Sequence, residues 1–242
     1  MMRNSNLINS VVFITGASSG IGCALAKACA QKGATVIMAA RSTAKLEVIY
    51  DKIVDKGHPE PSILPLDLMG LTLADCQRIS EHVLEKYHKL DALIHCAGIL
   101  GQRAPMQQQD IQQWEQVLKI NVNSPMILTQ SLIQCLEHSD NPHVIFSSSS
   151  VGKTGRAYWG AYAISKFATE GMVQVWADEL SSTSKIKMNC VNPGATATAM
   201  RAQAYPAENP NTLKTPKDTV SLYLNILLNE DNPPHGQSID YN

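Results

Sequence analysis

Val11-Val12-Phe13-Ile14-Thr15-Gly16-Ala17-Ser18-Ser19-Gly20-Ile21-Gly22 is the stretch on which the fold turns. Its first five residues are all β-branched or aromatic, the composition of a buried strand. Three glycines follow at once in the spacing G-x-x-x-G-x-G, and an alanine-rich helical pattern continues to Lys32. Glycine lets a backbone turn sharply and come close to a pyrophosphate, and the start of a helix offers free N–H groups and the positive end of its dipole. A glycine-rich turn taken alone is an ordinary loop. At the first strand–helix junction it is a candidate phosphate cradle, with Gly16, Ser18, Ser19, Gly20, Ile21 and Gly22 as cofactor-binding positions.

Strand-sized apolar runs and helical patterns alternate along the rest of the chain. Strands are expected over 11–15, 35–40, 63–66, 92–96, 143–147, 187–191 and 237–239. Helices are expected over 20–32, 43–56, 73–87, 111–137, 160–180 and 216–228. Strict alternation predicts an α/β fold: a Rossmann-type doubly wound parallel sheet of about seven strands, with helices on both faces. The chain of 242 residues fits one such domain, 1–242, without a linker or repeat. The last helix carries a start signal in Thr215-Pro216-Lys217-Asp218. The segment 200–213, rich in Ala, Pro and Asn, reads as a mobile loop beside the substrate, within a substrate loop of about 199–214. The helix over 160–180 is apolar around most of its circumference, which predicts contact with a second subunit in a homodimer or homotetramer.

Composition narrows the classes of function. Apolar residues at 44% supply a full core, and charged residues at 17% are too few for a disordered chain. A net charge of −1 without a Lys/Arg run argues against nucleic acid or an anionic membrane as partner. No apolar run reaches the length of a membrane span, and the first ten residues carry no signal-length apolar stretch, so a cytoplasmic protein is expected. Six cysteines without a C-x-x-C pair and seven scattered histidines predict reduced thiols and no metal site.

The chemistry is suggested by Ser147-Ser148-Ser149-Ser150-Val151-Gly152 and, nine residues on, Tyr162-Ala163-Ile164-Ser165-Lys166. Tyr162 and Lys166 are four apart and share one helix face. A phenol with its ordinary pKa near ~10 is a poor acid or base at neutral pH. A neighbouring ammonium favours the phenolate and draws that value toward the useful range. With a hydroxyl from the preceding strand end, the pair suits proton transfer to or from an alcohol or carbonyl. A surface tyrosine beside a solvated lysine has the same spacing, so the reading depends on the cofactor site. The second strand ends Met38-Ala39-Ala40-Arg41. A site that prefers NAD usually places an acid where Ala40 stands, whereas the Arg41 guanidinium can bind a 2′-phosphate. NADP(H) is therefore preferred and NAD(H) possible, unless Arg41 is simply a solvated residue opening the next helix.

From about Val11 to Ile239 the chain resembles the short-chain dehydrogenase/reductase family. The matching residues are Thr15 to Gly22, Asp67-Leu68, Ala97-Gly98, Asn121, Ser149, Tyr162 with Lys166, and Asn192-Pro193-Gly194 followed by Thr198. Within the family it is most similar to the bacterial YciK-type oxidoreductases, through 146–152, 159–162 and 213–216. The resemblance implies hydride transfer between NADP(H) and a ketone, aldehyde or secondary alcohol, with Tyr162 as general acid or base. Lys166 would bind the nicotinamide ribose and lower the Tyr162 pKa. Ser149 would hold the substrate oxygen, ahead of Ser147, Ser148 and Ser150 on register. Asn121 would anchor a water linking Lys166 to solvent, with Asn123 as its competitor.

For the cofactor, the resemblance implies that Asp67 and Leu68 frame the adenine; the alternative for Asp67 is a helix cap before Thr72. Cys96, Ala97 and Gly98 would pass along the cofactor, and Pro193, Gly194, Thr196 and Thr198 would face the nicotinamide carboxamide. Two departures stand out. Cys96 replaces the family's usual Asn and lacks its paired amide donor and acceptor. The segment 236–240 lacks the Asp-Gly-Gly tail of the usual C-terminal subunit contact. An NADP(H)-binding sensor or scaffold, and a 3-oxoacyl-thioester reductase, remain alternatives, because fold alone does not fix function. The partner is otherwise a small molecule whose entrance is lined by 101–105, 153–159 and 200–210. There Lys153, Arg156 and Arg201 suit either an acidic substrate group or solvent.

Overall fold

The computed structural model describes residues 6–229 and 231–241; residues 1–5 of the N-terminal stretch read above for a targeting signal lie outside them. The apolar runs become the strands β1 (Val11–Thr15), β2 (Thr35–Ala40), β3 (Ser62–Pro65), β4 (Ala92–His95), β5 (His143–Ser147), β6 (Lys187–Asn192) and β7 (Gln237–Asp240). Between them run α1 (Gly20–Gln31), α2 (Thr43–Val54), α3 (Leu73–Tyr87), α4 (Ile111–Leu118), α5 (Ser124–Glu137), α6 (Gly160–Leu180), α7 (Ala199–Ala204) and α8 (Val220–Leu227). The strands form one parallel sheet in the order β3-β2-β1-β4-β5-β6-β7. The chain builds outward from β1 to β3 and then returns to the other side of β1. The crevice outside the carboxyl ends of β1 and β4 is thus the point where ligands bind in such sheets.

Successive strand residues face opposite sides of the sheet. Val12 and Ile14 pack with Val36, Met38 and Ile94 against Leu25 of α1, Leu46 of α2 and Tyr223 of α8. Val11 and Phe13 pack with Ile37, Leu93 and Val144 against Val83 of α3, Leu132 of α5 and Val173 of α6. Each large side chain so buried contributes roughly 1.5–3 kcal/mol. Burial on both faces is why the strands read as unbroken apolar runs rather than as alternation.

Three elements differ from the sequence expectation. The single helix over 111–137 is interrupted by a wide π turn, Lys119–Asn123, whose extra residue swings Asn121 inward. The start signal at Thr215 closes a turn instead: Asp218 Oδ2 accepts from Thr215 N at 2.7 Å and from its hydroxyl at 2.8 Å, and α8 begins only at Val220. The supposed loop over 200–213 holds α7 and a short 3-10 turn, Pro210–Thr212. It is tied by Arg201, which grips Glu208 with bonds of 2.6 and 2.5 Å.

Helix α6 packs on one side. Tyr162, Lys166, Glu170, Val173 and Ala177 face the sheet, while Ile164, Phe167 and Val175 are 43%, 42% and 57% exposed. All six cysteines are free thiols. No helix among the described residues is long and apolar enough to cross a membrane.

Candidate active site

The glycine turn lies hard against the end of β4. Gly16 has φ +70°, and a Cβ there would sit 2.7 Å from Ala97 N. A Cβ on Gly22 would sit 2.4 Å from Gly16 O. Backbone atoms cannot yield as flexible side chains do, so both positions require glycine. Ser19 stands at the N-cap of α1 without its side chain capping the helix, which leaves first-turn N–H groups directed toward the crevice.

A cavity of about 1130 Å³ opens over this turn. Gly16, Ser18, Ser19, Gly20, Ile21 and Gly22 line it, as do Arg41, Asp67, Leu68, Cys96, Ala97 and Gly98. Tyr162, Lys166, Pro193 and Thr198 line it as well; of the expected cofactor positions, exposed Gly194 and buried Thr196 do not. The Thr196 hydroxyl is turned to the carbonyls of Pro193 and Gly194, at 3.4 and 3.2 Å, and stiffens their turn. The Thr198 hydroxyl accepts from Arg201 N at 3.2 Å and caps α7. Asp67 accepts from Met69 N at 3.1 Å, while Thr72 and Asp75 form the capping box of α3 themselves. The alternative of Asp67 as a helix cap is thereby removed.

Sequence reasoning missed Lys45. It lines the same cavity four residues after Arg41, in the first turn of α2. That spacing was the available signal, because it brings two cations to one end of the crevice. A dinucleotide phosphate fits this set: a glycine-walled cradle, uncapped helix amides and two cations with no acid between them.

The four serines after β5 are separated by what they touch. Ser147 Oγ lies 2.9 Å from Tyr223 Oη and 3.6 Å from Cys96 Sγ. The Ser148 hydroxyl donates to Glu170, and Ser150 is exposed. Only Ser149 hydrogen-bonds the Tyr162 phenol. Buried Asn121 donates to Ile99 O and accepts from Ile99 N, both at 2.9 Å, and donates to Ser165 Oγ at 3.0 Å. It thereby ties the strand end after β4 to α6 through the π turn. Asn123 points to solvent.

Tyr162 is 8% exposed and Lys166 6%. The Lys166 ammonium donates to Ser147 O at 2.6 Å and lies 5.5 Å from the centre of the Tyr162 ring. The expected lowering of the phenol is not what this geometry yields. Burial pushes Tyr162 up to about 12, opposed by the Ser149 hydrogen bond, and burial draws Lys166 down to about 8. The amine is engaged with a carbonyl rather than with the phenolic oxygen. Burial also holds the Cys96 thiol at about 11, so it stays protonated at neutral pH.

Beyond Tyr162 the wall is apolar. Leu100, Val151, Trp159 and Ala204 pack with Met200 and Tyr205, and the Trp159 ring lies 5.8 Å from that of Tyr162. Arg103 covers Trp159 and Tyr205 at 4.8 and 5.2 Å and donates to Ala204 O. Of the cations expected at the entrance, Arg201 is paired with Glu208 and Lys153 with Asp240.

The family described as short chain dehydrogenase matches residues 10–209. The uncharacterized oxidoreductase YciK of Escherichia coli K12 is 44% identical over 236 residues, 97% of this chain and 93% of that protein. A short chain dehydrogenase from Shigella flexneri 2a, crystallised with NADP, superposes with a TM-score of 0.93 at 44% identity, covering 98% of both chains. One from Escherichia coli CFT073, crystallised with NADPH, gives the same values: 0.93, 44% and 98% of each chain.

Proposed function

The chain belongs to the short-chain dehydrogenase family, and on that premise we propose that it reduces a ketone or aldehyde with NADPH, or runs the reverse oxidation of a secondary alcohol. The observation that carries this reading is one cavity lined by the glycine cradle, the Arg41–Lys45 pair and the Tyr162–Lys166 pair. The cofactor, when bound, supplies or accepts the hydride. The α1 amides with Gly16 to Gly22 would hold its pyrophosphate, and Arg41, Lys45 and Ser18 its 2′-phosphate. Asp67 and Leu68 would frame the adenine. Pro193 and Thr198 would face the carboxamide, with Thr196 holding their turn from behind. The NADP and NADPH complexes of the Shigella and Escherichia relatives support this choice.

Each side chain then has a task. Ser149 holds the substrate oxygen against the Tyr162 hydroxyl. A phenol at about 12 is protonated at neutral pH and so in the form that donates as the alkoxide develops; efficient transfer would need the Lys166 ammonium to draw its value back toward neutrality. Lys166 stabilises the phenolate left behind. Asn121 keeps the segment after β4 and α6 in register. The apolar wall of Leu100, Trp159 and Tyr205, with Lys153 and Arg201 already paired, favours an apolar carbonyl compound over an acidic one.

The test is NADPH oxidation by purified protein against a panel of aldehydes and ketones, repeated with NADH. An equal or faster rate with NADH removes the 2′-phosphate assignment. Tight NADPH binding with no turnover on the whole panel would favour a sensor instead. The outward stripe of Ile164, Phe167, Ala168, Gly171 and Val175 on α6 supports a homodimer or homotetramer. Light scattering that finds only monomer ends that part of the reading. Six free thiols suit a reducing, cytoplasmic compartment.

A further inference from the structure

One turn beyond Lys166, α6 carries a buried acid that the mechanism has not used. Glu170 is 8% exposed, and its carboxylate is enclosed by three strands. Ser148 Oγ, just past β5, donates to it, and so does Ser238 Oγ of β7, at 2.9 Å; the Cys190 thiol of β6, which donates to Thr169 O at 3.9 Å, lies beside it. No cation forms an ion pair with it among the described residues. A carboxylate removed from water is retained only where donors and an opposite charge compensate it. Here the donors are the two serine hydroxyls, and the opposite charge within its field is Lys166, on the same helix face at i−4.

We propose that Glu170 is a positioning residue for the proposed proton-transfer site. It is the buried counter-charge of Lys166 and, through Ser148, the clasp that sets Ser149 against Tyr162. The inference rests on the reading of Tyr162 and Lys166 as the proton-transfer pair. The clasp follows from connectivity. Ser148 and Ser149 are adjacent, the backbone of Ser148 is held by Val191 O at 2.7 Å, and its hydroxyl is held by Glu170. The face of Ser149 that meets Tyr162 is then fixed from both sides.

The counter-charge follows from the surroundings of the amine. The titratable groups facing Lys166 are Tyr162 and Glu170 on α6, His95 and Cys96 at the end of β4, and Cys190 on β6, with Tyr223 on α8 and Lys153 after β5 close by. The thiols, phenols and imidazole are all neutral at pH 7, since burial raises the thiols and phenols and lowers His95 to about 3. Glu170 is thus the one carboxyl group among them, one helical turn from an ammonium that burial draws down to about 8.

The charge is removed and the shape kept by Glu170→Gln. Protein labelled with 13C at lysine Cε is titrated by NMR, and the Lys166 resonance is assigned by its loss in Lys166→Arg. The expected result is a Lys166 transition at least one pH unit lower in E170Q than in the wild-type chain, with the NADPH dissociation constant changed less than threefold at pH 6. An unmoved Lys166 transition overturns the proposal, whatever happens to the melting temperature. Should E170Q not fold, the double variant K166M/E170Q carries the same test, because a counter-charge is dispensable once the ammonium is gone. Recovery of folded protein in the double variant supports the pairing, and failure to recover it overturns it. Neither measurement needs turnover, so a carbonyl panel without activity and an absent Glu170–Lys166 coupling are separate results.

Discussion

The nucleotide end of the crevice is made of backbone, and the end proposed for the carbonyl is made of buried side chains. At the first end, Gly16 and Gly22 let main chain pass within 3 Å of where a Cβ would be, and Arg41 and Lys45 add charge at its rim. At the second, Asn121, Tyr162, Lys166 and Glu170 are buried and reach partners far along the chain. Asn121 meets Ser165 over 44 residues, and Ser238 meets Glu170 over 68. A backbone-built site is written in consecutive letters. A side-chain-built site exists only once distant segments have packed, and its electrostatics follow from that packing.

The contrast can be broken by substitution at either end. Tyr162→Phe should lower the turnover of any accepted carbonyl by at least about 1000-fold while NADPH binding stays within a few-fold, since general acid catalysis is lost and the cradle is untouched. Stopped-flow NADPH oxidation and fluorescence titration read the two halves separately, and retained turnover would take Tyr162 out of the chemistry. Gly16→Ala should act in the opposite sense. A Cβ 2.7 Å from Ala97 N on a left-handed residue must displace the turn, so NADPH affinity should fall several-hundred-fold and the melting temperature should drop with it. Wild-type affinity in that variant would mean the turn is not the cradle.

Smaller effects sharpen the comparison. Arg41→Ala should weaken NADPH by about 50-fold and leave NADH nearly unchanged, the loss expected for charge-assisted hydrogen bonds to one phosphate. Lys45→Ala should do the same more weakly, as measured by the ratio of kcat/KM for the two cofactors. A control that belongs to neither end is His143, at the amino end of β5, away from the crevice. Its ring nitrogens have no hydrogen-bond partner among the described residues, and burial lowers its pKa from 6.5 to about 4. The unfolded chain then binds a proton that the fold does not, so stability is intact above pH 6.5 and is lost as pH falls toward 4. Between pH 7 and pH 5 the loss is about 2 kcal/mol, read by urea melts. His143→Leu should remove that share and leave the share of His95, which burial likewise lowers to about 3, whereas an unchanged slope would place the acid sensitivity elsewhere.

The legibility of the molecule follows the same division. The strand runs, the glycine turn and the Tyr162–Lys166 spacing were readable because sterics and hydrophobic periodicity act between near neighbours. The π turn at Asn121 was not, because an unbroken helical pattern runs through 111–137 and only the demand of Ile99 and Ser165 widens it. The letters at Thr215 promised a helix start, yet the Asp218 carboxylate closes the turn first. Lys45 was overlooked because a charge in the first turn of a helix has no meaning until β1 and β2 bring it beside the cradle.

By its own letters the chain determined the order of strands and helices, the place of the glycine turn and the spacing of the pair proposed to move a proton. Tertiary structure alone decided which of four serines meets the phenol, that burial carries Tyr162 up and Lys166 down, and that Glu170 is enclosed beside them. The reason is physical. Conformation is biased locally by neighbours in the chain, whereas the free energy of a charge depends on everything packed around it, and most of what surrounds this site arrives from other strands.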